Sequence, residues 1–331
     1  MNLICMSGFE ASDGAGVLLD TCLAVKPGEN ALIVTDTNLI ELAGFLASAA
    51  RDRRVEASVI TMAPREAPGV EPPAPVAGAM KEADMVLMLT THTLAPSRAR
   101  AEAQDGGARI LSLGGYNFDV LRSEALKADF QALKPVVEEV AGKLTGAEEA
   151  RVTTCTGTEL YLELGSRLAH ALHNICHEPG TMGSPPDVEA YVAPIEDTAE
   201  GRVVVDGAVN LLGFGLVQEP IELIFDSGRV TAVEGGSEAR HFQGLLESYG
   251  DPNMYRLGEL GIGLNPRARL VGDPLIDEGV LGTAHIALGL NYTYGGTIKD
   301  ARTHIDCVFK GPTIELDGEL VLVEGELVKK G

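Results

Sequence analysis

Residues 257–309 concentrate the side chains that could do chemistry: Glu259, Glu278, His285, Tyr292 and the pair His304/Asp306. Each sits among glycines and apolar residues rather than in a solvated charge run, as in LGELGIGLNP, DEGVLGTAHIALG and ARTHIDCVF. In THIDCVF, strand alternation puts His304, Asp306 and Val308 on one face, because side chains two apart point the same way. Cys307 then points to the other face and reads as core. A histidine and a carboxylate delivered together into a glycine-rich region suit a divalent metal such as Zn, Co, Mn or Fe(II). A lone H-x-D pair on a strand is commonly only a hydrogen-bonded pair. The second histidine in HIALG and the carboxylate in GELGIG tip the reading toward a metal site.

These residues need a scaffold, and the chain has the length for one. Its 331 residues point to two domains. Hydrophobic residues make up 45% and aromatics 5% with no Trp, so the core rests on Leu, Val, Ile and Ala. The net charge of −22 disfavours nucleic acid and anionic membranes as partners. Cys5, Cys22, Cys155, Cys176 and Cys307 are scattered and odd in number, which fits a reducing compartment without disulfides. The N-terminal MNLICMSGFEASDG has no basic region ahead of an apolar run, so no signal peptide is expected. No apolar run is long enough for a bilayer span. The expected location is the cytoplasm.

Residues 1–148 read as an α/β domain with a mainly parallel sheet. Apolar runs at 30–37, 55–63, 83–92 and 108–115 alternate with helical spacing near 75–83, 97–105 and 117–144. Its ligand-facing edge would lie at Asp36, Thr90 to His92 and Gly114. No phosphate-loop or dinucleotide motif is present, SDGAG (12–16) is a poor substitute, and the Pro-rich stretch 64–76 reads as a connecting loop. From residue 149 to 331, short alternating segments with DG and SG turns predict a β-rich α+β domain that carries the metal site. There Glu189 alone would read as a solvated loop glutamate. His170, His173 and His177 fall in an i, i+3, i+7 row on a possible helix, taken as structural for want of an acidic partner.

Taken in order, EAYVAP, GELGIGLNP, GTAHIALG with Tyr292 seven residues after His285, and THID resemble the thermophilic aminopeptidase T/aminopeptidase S family of metallopeptidases. The resemblance covers most of residues 30–330. It implies an α/β N-terminal domain, a C-terminal domain with two metal ions, and a homodimer. By position it makes Glu189, Glu259, His285, His304 and Asp306 the metal ligands and Tyr292 the catalytic tyrosine. Glu189 could be ligand or general base, and Glu278 sits at a different spacing from the family's acidic residue. The chain is shorter than the characterised peptidases. Shorter relatives of the same fold include 2,5-dihydroxypyridine 5,6-dioxygenase, a mononuclear Fe(II) enzyme. In such relatives a histidine stands where this chain has Pro96, with His92 as a candidate replacement. A mononuclear Fe(II) site needs only His285, His304 and Asp306. Two hydrolytic ions, Zn, Co or Mn, would employ Glu189 and Glu259 as well. Because a buried unpaired carboxylate is costly, the five-ligand set leads to an expected aminopeptidase-like hydrolase of amide or short-peptide bonds. The Fe(II) ring-cleaving dioxygenase, acting on a dihydroxypyridine-like aromatic, stands as the alternative.

Overall fold

The computed structural model describes residues 10–211 and 214–328. Cys5 and most of the segment read for a leader lie outside them. Two units are present, residues 1–134 with 173–186, and residues 135–172 with 187–331.

In the first unit, Asn30–Asp36 is the inner strand of a parallel sheet. Glu56–Met62 lies on one side of it; Met85–Leu89, Arg109–Ser112 and the short Met182–Gly183 follow on the other. Six of the seven residues of Asn30–Asp36 are buried, as expected of a strand covered on both faces. Leu32, Val34, Val86, Met88 and Ile110 share one face. They pack with Val76 and Met80 of helix Ala74–Lys81 and Ala99 and Ala103 of helix Arg98–Asp105. Helix Ile40–Asp52 buries Leu42, Ala43, Leu46, Ala47 and Ala50 at 3–4 spacing. At the strand ends, Asp36 accepts hydrogen bonds from the backbone N–H groups of Asn38 and Thr91 at 3.0 and 2.6 Å. That carboxylate ties two strand ends together. His173 and His177 lie beyond strand His170–Leu172 in irregular chain, so the expected helical histidine row does not form. Asn174 interrupts it at φ 63°, a left-handed conformation that a continuing helix cannot hold.

The second unit contains two antiparallel sheets. Eight strands run in the order Arg229–Gly235, Ile221–Asp226, Glu200–Val205, Glu159–Glu163, Glu149–Thr153, Thr313–Leu316, Glu319–Val323 and Glu326–Leu327. Seven run in the order Gly215–Leu216, Ala208–Asn210, His304–Lys310, Thr283–Gly289, Leu257–Gly263, Glu189–Val192 and His170–Leu172. A parallel-sheet α/β part and an antiparallel β-rich part therefore make up the fold, as the sequence predicts. No helix among the described residues is long and apolar enough to cross a membrane.

Candidate metal centre

Every residue of Leu257–Gly263 and of Thr283–Gly289 is buried. One sheet face is apolar: Leu260 pairs with Ile286 and Val192, Leu288 with Ile305, and Ile286 with Cys307. On the other face each functional side chain stands opposite a glycine or an alanine. His285 faces Gly261, Glu259 and Asp306 both face Ala287, His304 faces Gly289, and Glu189 faces Gly263. Cross-strand partners lie only about 5 Å apart at Cβ, so small residues opposite large polar ones open the room in which those groups converge.

Two backbone details make this possible. Leu257 pairs with Leu288 yet Glu259 pairs with Ala287, so a bulge at Gly258 inserts one residue into the ladder. Without it Glu259 would share the apolar face with Leu257; the bulge re-aims it toward the histidines. At Gly261, a Cβ would collide with Nε2 and Cε1 of the His285 ring. The imidazole lies across the glycine backbone, and only glycine fits there.

His285 Nε2 comes within 3.3 Å of Glu189 Oε2, 3.5 Å of Glu259 Oε1 and 4.0 Å of Asp306 Oδ1. His304 Nε2 lies 3.2 Å from Glu259 Oε2 and 3.1 Å from Asp306 Oδ1. Glu259 thus stands between both imidazoles. His304 Nδ1 is 2.6 Å from the Leu290 carbonyl, which can only accept. That nitrogen therefore carries the proton, and Nε2 is turned to the carboxylates. The structure adds Asp187 and brings in Glu278, and the two gather with Glu189 in a further carboxylate group. Asn210, opposite Asp306, donates to Glu278 Oε1 at 2.6 Å. Asp187 lies two residues from Glu189 in a Pro-Pro-Asp segment, and Asn210 follows a DG turn; neither carries a local signal of function.

Four buried carboxylates, the half-buried Glu278 and two imidazoles leave an excess of negative charge. Burial raises the carboxyl pKa of Glu189, reinforced by Asp187 and Glu259. Burial raises that of Glu278 as well, reinforced by Asp306 and Asp187, and pushes Asp187 to about 7. For Asp306 burial works upward, but the His304 ring overcomes it and holds the carboxyl at about 2. Burial would lower His304, yet the Asp306 and Glu259 carboxylates hold it well above the usual imidazole value. In the metal-free chain, protons on these groups stand where cationic charge is needed. Glu189 Oε2, Glu259 Oε2 and both His285 ring nitrogens are buried without a well-formed hydrogen bond among the described residues. Orphaned donors and acceptors of this kind, in the groups Glu189/Glu259/His285 and Glu259/His304/Asp306, fit a metal ion.

Glu189 is no solvated loop residue; it opens strand Glu189–Val192 and is 5% exposed. Tyr292 is 45% exposed. Two residues on, the Tyr294 ring packs edge-on against His304 with centroids 5.1 Å apart. It meets Tyr191 at 5.3 Å, and Tyr191 stacks on His170 at 5.0 Å. Burial raises the Tyr294 phenol well above its usual pKa, with Glu259 adding to the effect. The family resemblance selects Tyr292 from the NYTY motif; the second tyrosine of that motif is the signal for Tyr294.

The chain thus has a β-rich unit that holds histidines and carboxylates on one sheet face, and a parallel-sheet α/β unit. The solved 2,5-dihydroxypyridine dioxygenase from Pseudomonas putida KT2440 matches with a TM-score of 0.84 at 21% identity, covering 97% of each chain. Wild-type AmpT from Thermus thermophilus matches with a TM-score of 0.70 at 16% identity, covering 96% of this chain and 99% of that one. The family is fixed by sequence: the model for NicX, 2,5-dihydroxypyridine 5,6-dioxygenase, matches residues 18–329, and the chain belongs to that family. A curated 2,5-dihydroxypyridine 5,6-dioxygenase of P. putida KT2440 is 28% identical over 195 residues, 56% of this chain. That alignment spans about half of the relative, 55% of its length.

The family match overturns the expected hydrolase, metallopeptidase and aminopeptidase assignment. The likeness to aminopeptidase T is one of fold. The expectation failed on a physical premise, that unpaired Glu189 and Glu259 would demand a second ion. Glu259 is held by both imidazoles, and Glu189 relieves its burial by rising in pKa. A buried carboxyl neutralises itself more cheaply than it stays charged.

Proposed function

We propose that this chain is an Fe(II)-dependent dioxygenase that opens the ring of a dihydroxypyridine-like aromatic. The observation that carries the reading is the NicX family match across residues 18–329. The donor set is consistent with it: two imidazoles and a carboxylate on one sheet face are the ligands such an iron takes, with positions left open.

We assign the ligands as His285, His304 and Asp306, with Glu259 between the two rings. When bound, Fe(II) supplies the redox-active centre that chemistry with O₂ requires. The chain's own groups do the rest. The Leu290 carbonyl holds the His304 ring in the tautomer that offers Nε2. Gly261 lets the His285 ring lie flat over the sheet. Asn210 fixes Glu278 beside Asp306. Glu189, neutral by burial in the metal-free chain, would be freed by a bound cation to take the proton of a substrate hydroxyl; its buried Oε2, which makes no well-formed hydrogen bond, supports that role. The apolar strands beneath exclude water from the floor of the site.

A second reading of occupancy is favoured by one feature. Glu259 belongs to both donor groups, as a carboxylate bridging two ions, Zn, Co or Mn among them, would. Metal content per chain separates one ion from two.

The experiment for the activity is O₂ uptake by protein loaded anaerobically with Fe(II), with 2,5-dihydroxypyridine as substrate. We expect O₂ and substrate to disappear in equal amounts and Zn loading to abolish turnover. Fully Fe(II)-loaded protein that consumes no O₂ with this substrate would remove the proposal.

A further inference from the structure

The short turn Tyr292–Tyr294 is held more firmly than its exposed position implies. Asn291, fully buried, accepts backbone hydrogen bonds at its carbonyl from Tyr294 at 2.9 Å and Gly296 at 3.1 Å. Its side chain accepts from the Ile298 N–H at 2.8 Å and donates to Glu196 Oε1 at 3.0 Å. Glu196 also accepts from the Thr297 N–H at 2.6 Å and pairs with Arg167 at 2.6 Å. Gly295 turns the chain at φ 88°, and a Cβ on Gly296 would strike the Asn291 amide. The clamp fixes where residue 294 points.

It points at the centre. The Tyr294 ring stands edge-on to His304, with centroids 5.1 Å apart at 61°, and to Tyr191 at 86°. Tyr191 lies opposite Gly261, on the sheet face of the ligands. Among the described residues the Tyr294 hydroxyl takes no protein partner, nor is it sealed from solvent. A largely enclosed phenol ordinarily finds a hydrogen-bond partner, and the carboxylates of the metal centre, Glu259, Asp306 and Glu278, lie close enough to act on this one.

We propose that Tyr294, rather than Tyr292, is the tyrosine that meets the ligand at this site. Its ring forms the wall beside His304, and its hydroxyl donates a hydrogen bond to an oxygen or nitrogen atom of the bound molecule. For an aromatic bearing ring hydroxyls this deepens, and rests on, the dioxygenase reading; the hydrogen bond itself does not depend on it.

Two probes keep the two ideas apart. The first is anaerobic binding of 2,5-dihydroxypyridine to Fe(II)-loaded protein, followed by absorbance. The second is binding of azide to Co(II)-loaded protein, followed in the visible spectrum. Wild type, Tyr294→Phe and Tyr292→Phe are compared at matched metal content and thermal stability. Phenylalanine keeps the ring packing and removes only the hydroxyl. We expect Tyr294→Phe to weaken both probes by about five- to tenfold, the worth of one neutral hydrogen bond, and Tyr292→Phe to change either by less than about twofold. If wild type ignores dihydroxypyridine while Tyr294→Phe still weakens azide, the substrate assignment falls and the tyrosine assignment stands. If Tyr294→Phe binds both probes as wild type does, or the loss appears in Tyr292→Phe instead, the tyrosine assignment is overturned.

Discussion

Replacing Gly261 by alanine should disable the metal centre without touching a single ligand. The added Cβ would meet Nε2, Cε1 and Cδ2 of His285, the last at 2.9 Å. Restoring ordinary contact of about 3.5 Å to the nearest ring atoms obliges the ring to move by more than about 1 Å. His285 is 0% exposed and bounded by Glu189 and Glu259 at 3.3 and 3.5 Å, so it cannot swing into solvent. Overpacking of this kind costs about 1–3 kcal/mol of stability. A ligand misplaced by about 1 Å lowers turnover by about 10²-fold. Metal affinity should fall at least about 10- to 100-fold, the loss seen when groups merely supporting a ligand are removed. Competitive chelator titration reads the affinity, thermal unfolding of metal-free protein the stability, and O₂ uptake the rate. Gly44→Ala is the control: it lies in helix Ile40–Asp52 with nothing within 4 Å of an added Cβ. That change should leave metal affinity alone and add about 0.4–1 kcal/mol of stability. Should Gly261→Ala bind metal within about twofold of wild type, the claim that the His285 ring occupies the space above residue 261 is wrong.

Metal binding should release protons. His304 and His285 are held above their usual pKa by the facing carboxylates, and an imidazole must be deprotonated to ligate. Affinity should therefore fall as pH is lowered through neutrality, and calorimetry in buffers of different ionisation heat should show about one proton or more released per chain at pH 7; none released would contradict the electrostatic picture. Glu196 tests the clamp. Burial raises its pKa, but Arg167, the Thr297 N–H and the Asn291 amide overcome this and lower it to about 2. A folded-state value below the unfolded one gives stability that is present above about pH 4.5 and lost as pH falls toward 2. Glu196→Gln should then be destabilised by about 2 kcal/mol at pH 7, with the deficit shrinking toward pH 2 in denaturant titrations. A deficit independent of pH would mean that the ion pair is not its source.

Local pattern was enough for most of the elements, though not for the stretch 170–177, where helical spacing misled. The apolar run of Asn30–Asp36 and the alternation in His304–Lys310 are properties of consecutive residues, since a strand's two faces follow from its period of two. The glycines and alanines of GELGIG and HIALG likewise announced unusual room around polar side chains. Which residues stand opposite one another is not a local property. Glu189 meets Gly263, and Asp306 meets Asn210, only through pairing between distant segments. The bulge at Gly258 decides which face Glu259 takes, and nothing in the hexapeptide GELGIG announces it. Asp187, Glu278 and Tyr294 joined the centre for the same reason, brought by the ends of elements whose paths the tertiary structure sets. The choice of chemistry escaped the residue pattern on different grounds, and the family match, rather than the fold, corrected it. Imidazole and carboxylate donors serve hydrolytic and oxidative metals alike, and the premise that separated them was the charge of buried carboxyls. That charge depends on how deeply the groups are buried and what lies within a few ångströms of them, quantities that exist only once the chain has folded.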